Sequence, residues 1–494
     1  MFYVSTRGGG EPVSSTKAVL NGIAPDGGLY MPRGIGSFDW SGTLKLPAQQ
    51  MSEKILGWFL PEFPDMAGIV RRAYHGKFDT EELTPVVPVG GRYVLELFHG
   101  PTSAFKDVAL SVLPQLITAA KSVENVREEI VILTATSGDT GKAALEGFHD
   151  VPGTSIIVFY PDGGVSAVQK AQMVTQEGNN VRVCAVRGNF DDAQTGVKEI
   201  FAAAAQDPSV TGKDACLSSA NSINIGRLAP QVVYYFKAYA ELCRSGVIRE
   251  GDPVDYTVPT GNFGDILAGY LAKTMGLPVG KLICASNANR VLTDFLHTGR
   301  YDRKRPFYKT ESPSMDILVS SNLERLLYLV SGEDTGLVSG LMKDLNEKGC
   351  YDIPAPLLKT LQESFWAGCA DDAMTEAAIG KVWREHHYLC DTHTAVAWSV
   401  AEQYAKAVGS TAPNVVLSTA SAYKFPAAVV RALGKTPEKD EFAVMEQLHT
   451  LTGTQIPKNL AGIGKKPVLH TDVTEKSDMR EYVHRAITER GTRE

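Results

Sequence analysis

The chain has 494 residues, 44% of them hydrophobic, with a formal net charge of −7 and a pI of about 5.9. This length predicts two to four domains, and the scattered basic residues argue against a nucleic-acid partner. No apolar run is long enough to cross a bilayer and no signal-peptide centre is present, so we expect a cytoplasmic protein that binds neither membrane nor nucleic acid.

Two regions differ in pattern. Residues 1 to about 95 carry one amphipathic stretch around Met51–Phe63 and many turn residues, which indicates an N-terminal cap. From about residue 128, short β-branched runs alternate with helical patterns, which predicts a parallel sheet covered on both faces. The predicted strands are 130–133, 155–160, 181–186, 254–258, 282–285 and 415–417, and the helices include 165–176, 191–205 and 227–242.

Lys106 follows a Gly-Pro-Thr-Ser turn and starts an apolar-periodic run that includes Val108 and Leu110. This places its amine where a strand-to-helix loop meets the core. An amine held there can lose its proton and attack a carbonyl. A lysine in the first turn of a surface helix would give the same pattern.

A glycine-rich segment, 258–270, follows the predicted strand 254–258 and leads into helical spacing. The backbone N–H groups at the start of such a helix are suited to a phosphate. An ordinary strand-to-helix turn is the alternative. Because ligands bind beyond the carboxyl ends of strands in such sheets, the loops at Gly138, Asn221 and Gly261 should converge.

Two other patterns are weaker. Residues 138–142, Gly-Asp-Thr-Gly-Lys, suggest a nucleotide-binding P-loop, but the required glycine spacing is missing and Ala143 follows Lys142. His386, Cys390 and His393 would share a face if their segment were one helix, yet no acidic partner is obvious and we predict no metal site. The seven cysteines are widely spaced and odd in number, which indicates reduced thiols.

Seven segments together resemble the threonine synthases of the long bacterial and fungal form, which are pyridoxal-phosphate enzymes of the tryptophan-synthase-β type. They occur in the family's order over nearly the whole chain. They are 22–32, the Lys106 segment, 136–141 (Thr-Ser-Gly-Asp-Thr-Gly), 220–227 (Ala-Asn-Ser-Ile-Asn-Ile-Gly-Arg), the Gly261 loop, 312–317 (Ser-Pro-Ser-Met-Asp-Ile) and 417–420 (Leu-Ser-Thr-Ala).

The resemblance implies an α/β fold, fold type II for pyridoxal-phosphate enzymes, with two parallel-sheet subdomains and an N-terminal cap domain. It implies a cap at 1–95, a catalytic core at 96–435 with a small subdomain inserted at about 130–215, and a C-terminal extension at 436–494 that packs on the core. A monomer is favoured over a homodimer.

The resemblance also implies a role for each site residue. Lys106 would be the catalytic residue, joined to the cofactor and later moving protons on the substrate. Thr419 would place a neutral hydroxyl on the pyridine nitrogen. The cofactor-binding residues would be Lys106, Gly261, Asn262, Phe263, Gly264, Asp265, Thr419 and Asp139, and the substrate-binding residues Ser137, Gly138, Thr140 and Gly141 for the α-carboxylate and Asn221, Ser222 and Arg227 for the phosphate.

Alternatives stay open at three of these positions. Residues 137–141 could be a plain helix N-terminus, and Arg227 could pair with a surface carboxylate. Many relatives have Asn where this chain has Asp139, and an ionised Asp cannot donate to the cofactor's 3′-oxygen. The family's usual His-Pro-Ala-Lys-Phe is replaced at 421–425 by Ser-Ala-Tyr-Lys-Phe, which puts any contact of that histidine in doubt.

The activity that the resemblance implies is that of a carbon–oxygen lyase acting on phosphates. It would convert O-phosphohomoserine and water to threonine and phosphate, by γ-elimination and then addition of water at Cβ. A phospholyase that releases 2-oxobutyrate, ammonia and phosphate is the alternative, since only the placement of water separates the two outcomes.

Overall fold

The computed structural model describes residues 1–136, 138–207, 210–212 and 214–489. In its N-terminal region, Met51, Ile55 and Phe59 are buried at helical spacing, which confirms the predicted amphipathic helix. Two short strands pair antiparallel, with Tyr3 opposite Pro32. The elements here are β1 (Tyr3–Ser5), α1 (Ser15–Asn21), β2 (Tyr30–Pro32), α2 (Trp40–Thr43), α3 (Ala48–Phe59) and α4 (Met66–Tyr74).

The predicted alternation of strands and helices is confirmed. All eight residues of the strand 154–161 are buried, as expected of a strand covered on both faces. The elements are β3 (Val86–Val89), β4 (Arg92–Glu96), α5 (Lys106–Val123), β5 (Glu129–Ala135), α6 (Asp139–Phe148), β6 (Thr154–Pro161), α7 (Ala167–Val174), β7 (Val181–Arg187), α8 (Phe190–Gln206), β8 (Ala215–Ser218), α9 (Ile225–Arg244), β9 (Val254–Pro259), α10 (Gly264–Thr274) and β10 (Val279–Ser286).

The remaining elements complete the core and the C-terminal region. Within the described residues, no helix is both long and apolar enough to cross a membrane. The elements are α11 (Val291–Thr298), β11 (Arg300–Asp302), α12 (Leu323–Val330), α13 (Thr335–Lys348), β12 (Cys350–Asp352), α14 (Ala355–Ser364), β13 (Phe365–Cys369), α15 (Asp372–His386), α16 (Thr392–Val408), β14 (Asn414–Ser418), α17 (Pro426–Ala432), α18 (Glu441–Thr452), β15 (Asp472–Glu475) and α19 (Met479–Thr488).

Two sheets organise the molecule, as predicted for this fold class. The larger has the strand order β13-β10-β9-β14-β4-β3 and is parallel except for β3, which runs antiparallel to β4. The smaller has the order β15-β7-β6-β5-β8 and is parallel throughout. Strands β3 and β4, which span residues 86–96, therefore belong to the larger sheet, and β15 extends the smaller one.

Helix α5 is buried in the middle of this arrangement. It packs against α1, α4, α6 and α9, and Leu110, Val112, Leu113 and Leu116 are fully buried. A helix enclosed by so many neighbours has little freedom to move. Its first residue, Lys106, is therefore held in a fixed place.

Candidate active site

A cavity of about 650 Å³ opens where several strands end. Loops that follow the carboxyl ends of β5, β8, β9 and β14 contribute to its wall, together with the start of α5. This is where open α/β sheets bind ligands. Of the predicted site residues, Lys106, Asp139, Thr140, Asn221, Ser222, Arg227, Gly261, Asn262, Phe263, Gly264, Asp265 and Thr419 line it.

The loop before Lys106 is fixed by backbone pairing with the segment after β14. The Phe105 N–H donates to the Thr419 carbonyl at 2.8 Å, and the Ser421 N–H donates to the Ser103 carbonyl at 3.1 Å. Ser103 adopts a left-handed φ of 59° in this turn. Thr419 and Lys106 are thereby brought to the same wall of the cavity.

Lys106 is 9% exposed, and its Nζ lies 3.8 Å from Asp139 Oδ2. Burial lowers the pKa of Lys106 to about 8, with Asp139 opposing the shift and Lys424 and Arg227 adding to it. With a pKa of about 8, roughly a tenth of this amine is unprotonated at pH 7, and the unprotonated form is the nucleophile toward a carbonyl. The observed setting is not that of a lysine on a surface helix.

Asp139 begins α6 and is buried with charged partners. Its Oδ1 accepts hydrogen bonds from Lys424 Nζ at 2.7 Å and from Gln169 Nε2 at 3.0 Å. Burial by itself would raise the pKa of Asp139, but Lys424 and Lys106 outweigh it and hold that pKa well below its usual range. Asp139 is therefore an anion here and accepts hydrogen bonds.

The Gly261 loop forms a smooth backbone cradle at the start of α10. Phe263 precedes the helix with a left-handed φ of 63°, and the first amides of α10 have no partner within the helix. A Cβ added to Gly264 would be in ordinary van der Waals contact, 3.6 Å from Asn322 Nδ2 and 3.8 Å from the Gln231 amide, so the glycine keeps the backbone free of a side chain at this point. A phosphate fits this cradle, since it needs N–H donors and no side chain in its way.

The segment 310–322 supports the Gly261 loop through hydrogen bonds to its carbonyl groups. Ser320 Oγ donates to the Gly261 carbonyl at 2.7 Å, and Asn322 Nδ2 donates to the Asn262 carbonyl at 3.0 Å. Asp316 accepts from Asn287 and from Thr310, which anchors the segment itself. The sequence suggested no role for this segment, and its contacts are those of a support for the phosphate loop.

Asp265 is the acidic neighbour of the cradle. Burial raises the pKa of Asp265 to about 7, and the Tyr235 hydroxyl, a donor to its Oδ1 at 3.1 Å, partly offsets that rise. Its Oδ2 is buried and has no hydrogen-bond partner among the described residues. A carboxyl that is partly protonated near neutral pH repels an anion less than an ordinary aspartate does.

Arg227 is buried, 3% exposed, on α9. Its Nη1 donates to the Ala220 carbonyl, while its Nε is buried and finds no partner in the described part of the chain. Burial lowers the pKa of Arg227 to about 10, still well above neutral pH. Within the described chain no carboxylate forms an ion pair with it, so the pairing that we considered from sequence is not observed. A buried cation with an unused donor, beside Asn221 and Ser222, suits an anionic ligand.

The loop after β5 is organised by Thr136. Its Oγ1 accepts the N–H of Gly138 at 3.0 Å and the N–H of Gly141 at 2.9 Å. These two glycines do not line the cavity, whereas Thr136 and Thr140 do. Ser137 lies outside the described residues.

The departure at 421–425 leaves the neighbouring groups in place. Ser421 Oγ accepts the Tyr423 N–H at 3.4 Å and caps a short 3-10 turn, Ala422–Lys424. Lys424 reaches Asp139 from that turn. Thr419 lines the cavity and Lys424 contacts Asp139 beside this altered segment.

Two groups of the site were not predicted. Lys424 is distant from Asp139 in sequence, and only its register with the family pattern pointed to it. His393 lines the cavity, with Nδ1 2.7 Å from Asp391 Oδ2 and Nε2 3.1 Å from the Ser314 N–H. The segment that suggested a metal site is not one helix, because α15 ends at His386 and α16 begins at Thr392.

Fold and site together define a class of protein. A buried amine of lowered pKa faces a backbone phosphate cradle across one cavity in a two-sheet α/β fold. This donor set fits a cofactor that carries both an aldehyde and a phosphate.

Comparisons with known proteins agree. Family models match for the threonine synthase N terminus at residues 2–85, for pyridoxal-phosphate dependent enzymes at 81–339, and for the threonine synthase C-terminal region at 394–483. A threonine synthase from Pseudomonas aeruginosa is 38% identical over 88% of this chain and 92% of its own length. The structure of pyridoxal-phosphate-bound threonine synthase from Brucella melitensis is similar at a TM-score of 0.87 and 38% identity, covering 99% of this chain and 100% of that one.

Longer relatives exist as well. Threonine synthase-like 1 from Macaca fascicularis is 38% identical over 94% of this chain, which spans 63% of the length of that relative. The chain belongs to the threonine synthase family of pyridoxal-phosphate-dependent enzymes.

Proposed function

We propose that the protein converts O-phospho-L-homoserine and water to L-threonine and phosphate with pyridoxal 5′-phosphate as cofactor. One observation carries this reading: the cavity holds two separate sets of anion-binding groups, the Gly261 backbone cradle and the buried, unpaired Arg227. Because we assign the substrate's α-carboxylate to the loop at 137–141, an amino-acid substrate without a phosphate would leave Arg227 without an anion. The threonine synthases matched above support the same activity.

The cofactor would be held by its two ends. Lys106 would bind its aldehyde carbon covalently, and the backbone of residues 261–264, with Asp265 beside it, would bind its phosphate. We assign the Thr419 hydroxyl to the ring nitrogen and Asp139 to the neighbourhood of Lys106. When bound, pyridoxal phosphate supplies electron withdrawal that stabilises negative charge on the substrate's carbons.

The substrate would be held by different residues. Arg227, Asn221 and Ser222 would bind its phosphate, and a forked guanidinium suits a group of about −1.5 to −2 charge. The loop of Ser137, Gly138, Thr140 and Gly141 would bind the α-carboxylate, with Thr140 lining the cavity while Gly138 and Gly141, bonded to Thr136, would fix the shape of the loop. These contacts would orient the substrate so that its Cα and Cβ protons face Lys106.

Lys106 would then move the protons. Its amine would take the proton from Cα, release it, and then take one from Cβ as the Cγ–O bond to phosphate breaks, because one amine holds one transferred proton at a time. Water would add its hydroxide at Cβ and give its proton to the released phosphate, and the two protons taken from carbon would be matched by protons added at Cγ and Cα. The lowered pKa of Lys106, about 8, lets one amine both accept and return protons near neutral pH.

We also propose the domain division at 1–95, 96–435 with an insertion at about 130–215, and 436–494, in which the last segment of the cap, β3 and most of β4, joins the larger sheet of the core. The pairing of β15 with β7 and the bond from Asn459 Nδ2 to the Pro101 carbonyl at 2.7 Å support a C-terminal extension that packs on the core. A cytoplasmic, monomeric enzyme stays part of the proposal, and the seven free cysteines support a reducing compartment.

The test is product analysis on purified holoenzyme with O-phosphohomoserine. We expect threonine and phosphate in equal amounts, and we expect Lys106→Ala to lower turnover by more than about a thousandfold, because one group serves several proton transfers. Lys142→Ala is the matched control, since Lys142 pairs with Glu146 and does not line the cavity. Full activity of Lys106→Ala, or 2-oxobutyrate and ammonia as the main products, would contradict the proposal.

A further inference from the structure

Lys424 is fully buried and touches the site without lining the cavity. Its Nζ donates to Asp139 Oδ1 at 2.7 Å and to the Thr102 carbonyl at 3.1 Å. The other oxygen, Asp139 Oδ2, lies 3.8 Å from Lys106 Nζ. One carboxylate therefore stands between two lysines, with each of its oxygens facing a different one.

Gln169 completes the support of this carboxylate. Its Nε2 donates to Asp139 Oδ1 at 3.0 Å, and the Gln169 side chain is itself held by the Ser166 N–H at 3.4 Å. With two donors on Oδ1, the orientation of the carboxyl plane is set. Oδ2 is then left to face Lys106.

We propose that Lys424 is a positioning residue of this site, which fixes Asp139 as an anion whose free oxygen faces the nitrogen of Lys106. The inference rests on the proposed function for the role of Lys106. Asp139 then stabilises a proton on that nitrogen and does not donate a hydrogen bond to the cofactor ring.

The charges around Lys106 give the sign of each effect. Four charged groups face it: Asp139 from α6, Lys424 from the 422–424 turn, Arg227 from α9 and Asp107 from α5 itself. Removing the charge of Lys424 should let the Lys106 nitrogen keep its proton to higher pH. Removing the charge of Asp139 should make the Lys106 nitrogen lose its proton at lower pH.

The pH dependence of the cofactor's visible absorption in the holoenzyme measures this proton directly. We expect Lys424→Met to raise the midpoint by about one pH unit and Asp139→Asn to lower it by about one unit or more. Lys424→Arg keeps the charge and should stay within about 0.3 unit of the wild type. The pH profile of kcat/KM should move in the same directions.

Controls separate this role from stability alone. Lys381→Met, which breaks the ion pair with Glu402 outside the cavity lining, should leave the midpoint unchanged. Should Lys424→Met not fold, the double variant Lys424→Met/Asp139→Asn leaves no lone charge of this pair buried, and its midpoint should lie above that of Asp139→Asn.

Several results would overturn the inference. These are an unchanged midpoint in Lys424→Met, an equal shift in Lys424→Arg, and equal midpoints for the double variant and Asp139→Asn. A wild-type protein that shows no cofactor absorption would instead contradict the proposed function, and this inference with it. An active wild type with an unchanged midpoint in Lys424→Met removes only the role of Lys424.

Discussion

Arg227 is a buried arginine with an unused hydrogen-bond donor, which is the character of an anion-binding residue. Its Nε has no acceptor, and no carboxylate pairs with it in the part of the chain that the structure describes. Burying such a cation is unfavourable unless a charge-assisted hydrogen bond replaces the lost water. The substrate's phosphate would supply that bond in the proposed complex.

Replacing Arg227 by alanine should therefore separate the two anion sites. A charge-assisted bond contributes about 1.5–3 kcal/mol, so kcat/KM for O-phosphohomoserine should fall by about tenfold to a hundredfold. The visible absorption of the cofactor should be retained, because the Gly261 cradle does not involve this side chain. The inhibition constant of inorganic phosphate, measured as a competitor of the substrate, should rise by a similar factor.

The matched control is Arg72→Ala, which removes an exposed arginine bonded to Gln115. It should change neither kcat/KM nor the cofactor spectrum. Loss of pyridoxal phosphate from Arg227→Ala with normal substrate binding would mean that the two anion sites have been exchanged.

At the scale of elements, the Gly261 loop depends on close approach to the segment behind it. A Cβ at position 261 would lie 2.7 Å from the Ser314 carbonyl oxygen, a backbone atom that cannot rotate away. Gly261→Ala should therefore push the two segments apart. Overpacking of this kind costs about 1–3 kcal/mol, which predicts a cofactor dissociation constant raised by about fivefold to a hundredfold.

Titration of the cofactor-free protein with pyridoxal phosphate, followed by visible absorption, measures that change. Gly340→Ala is the control, because a Cβ there meets no atom within 4 Å in helix α13. Alanine in a helix interior should leave stability equal or raise it by about 1 kcal/mol. An unchanged dissociation constant in Gly261→Ala would show that the loop tolerates the displacement.

The sequence predicted those strands and helices whose own residues show a clear hydrophobic pattern. The runs at the centre of β5 and β6, Ile130–Leu133 and Ile156–Tyr160, are continuous and apolar, because both faces of a parallel sheet are covered. Strand β15 was not predicted, since Asp472–Glu475 is mostly exposed and pairs along one edge with β7. This segment forms a strand only because it pairs with β7, which is distant in sequence.

The site shows the same division. Lys106 and the Gly261 loop were predicted, because a turn and a helix start leave a local pattern. The pairing of Lys424 with Asp139 and of His393 with the Ser314 N–H was not predicted, since both arise when distant segments meet. A buried lysine or histidine has no sequence pattern that names its partner.

At the scale of the whole molecule, Arg325 joins three regions. It is fully buried, and its Nη2 donates to the Tyr30 carbonyl at 3.0 Å in the N-terminal region and to the Ile223 carbonyl at 2.6 Å beside Asn221. Its Nη1 donates to Asn322 Oδ1 at 2.6 Å, and Asn322 holds the phosphate loop. Both anion-binding loops and the cap therefore share one guanidinium.

Arg325→Met should leave three buried acceptors without their donor. Each costs about 1–3 kcal/mol, so the free energy of unfolding should fall by about 3 kcal/mol or more, measured by denaturant unfolding of the cofactor-free protein. Arg325→Lys should recover little, because one ammonium cannot span three acceptors in different directions. Arg71→Met, an exposed residue on α4, should change unfolding by less than about 0.5 kcal/mol.

The coupling of the loops gives Arg325→Met a second consequence. Because both anion-binding loops lose a support at once, KM for O-phosphohomoserine and the dissociation constant of pyridoxal phosphate should rise together, unlike in Arg227→Ala. A variant that unfolds more easily but keeps both constants would limit Arg325 to a stabilising role. A rise in only one constant would show that the two loops are held independently of each other.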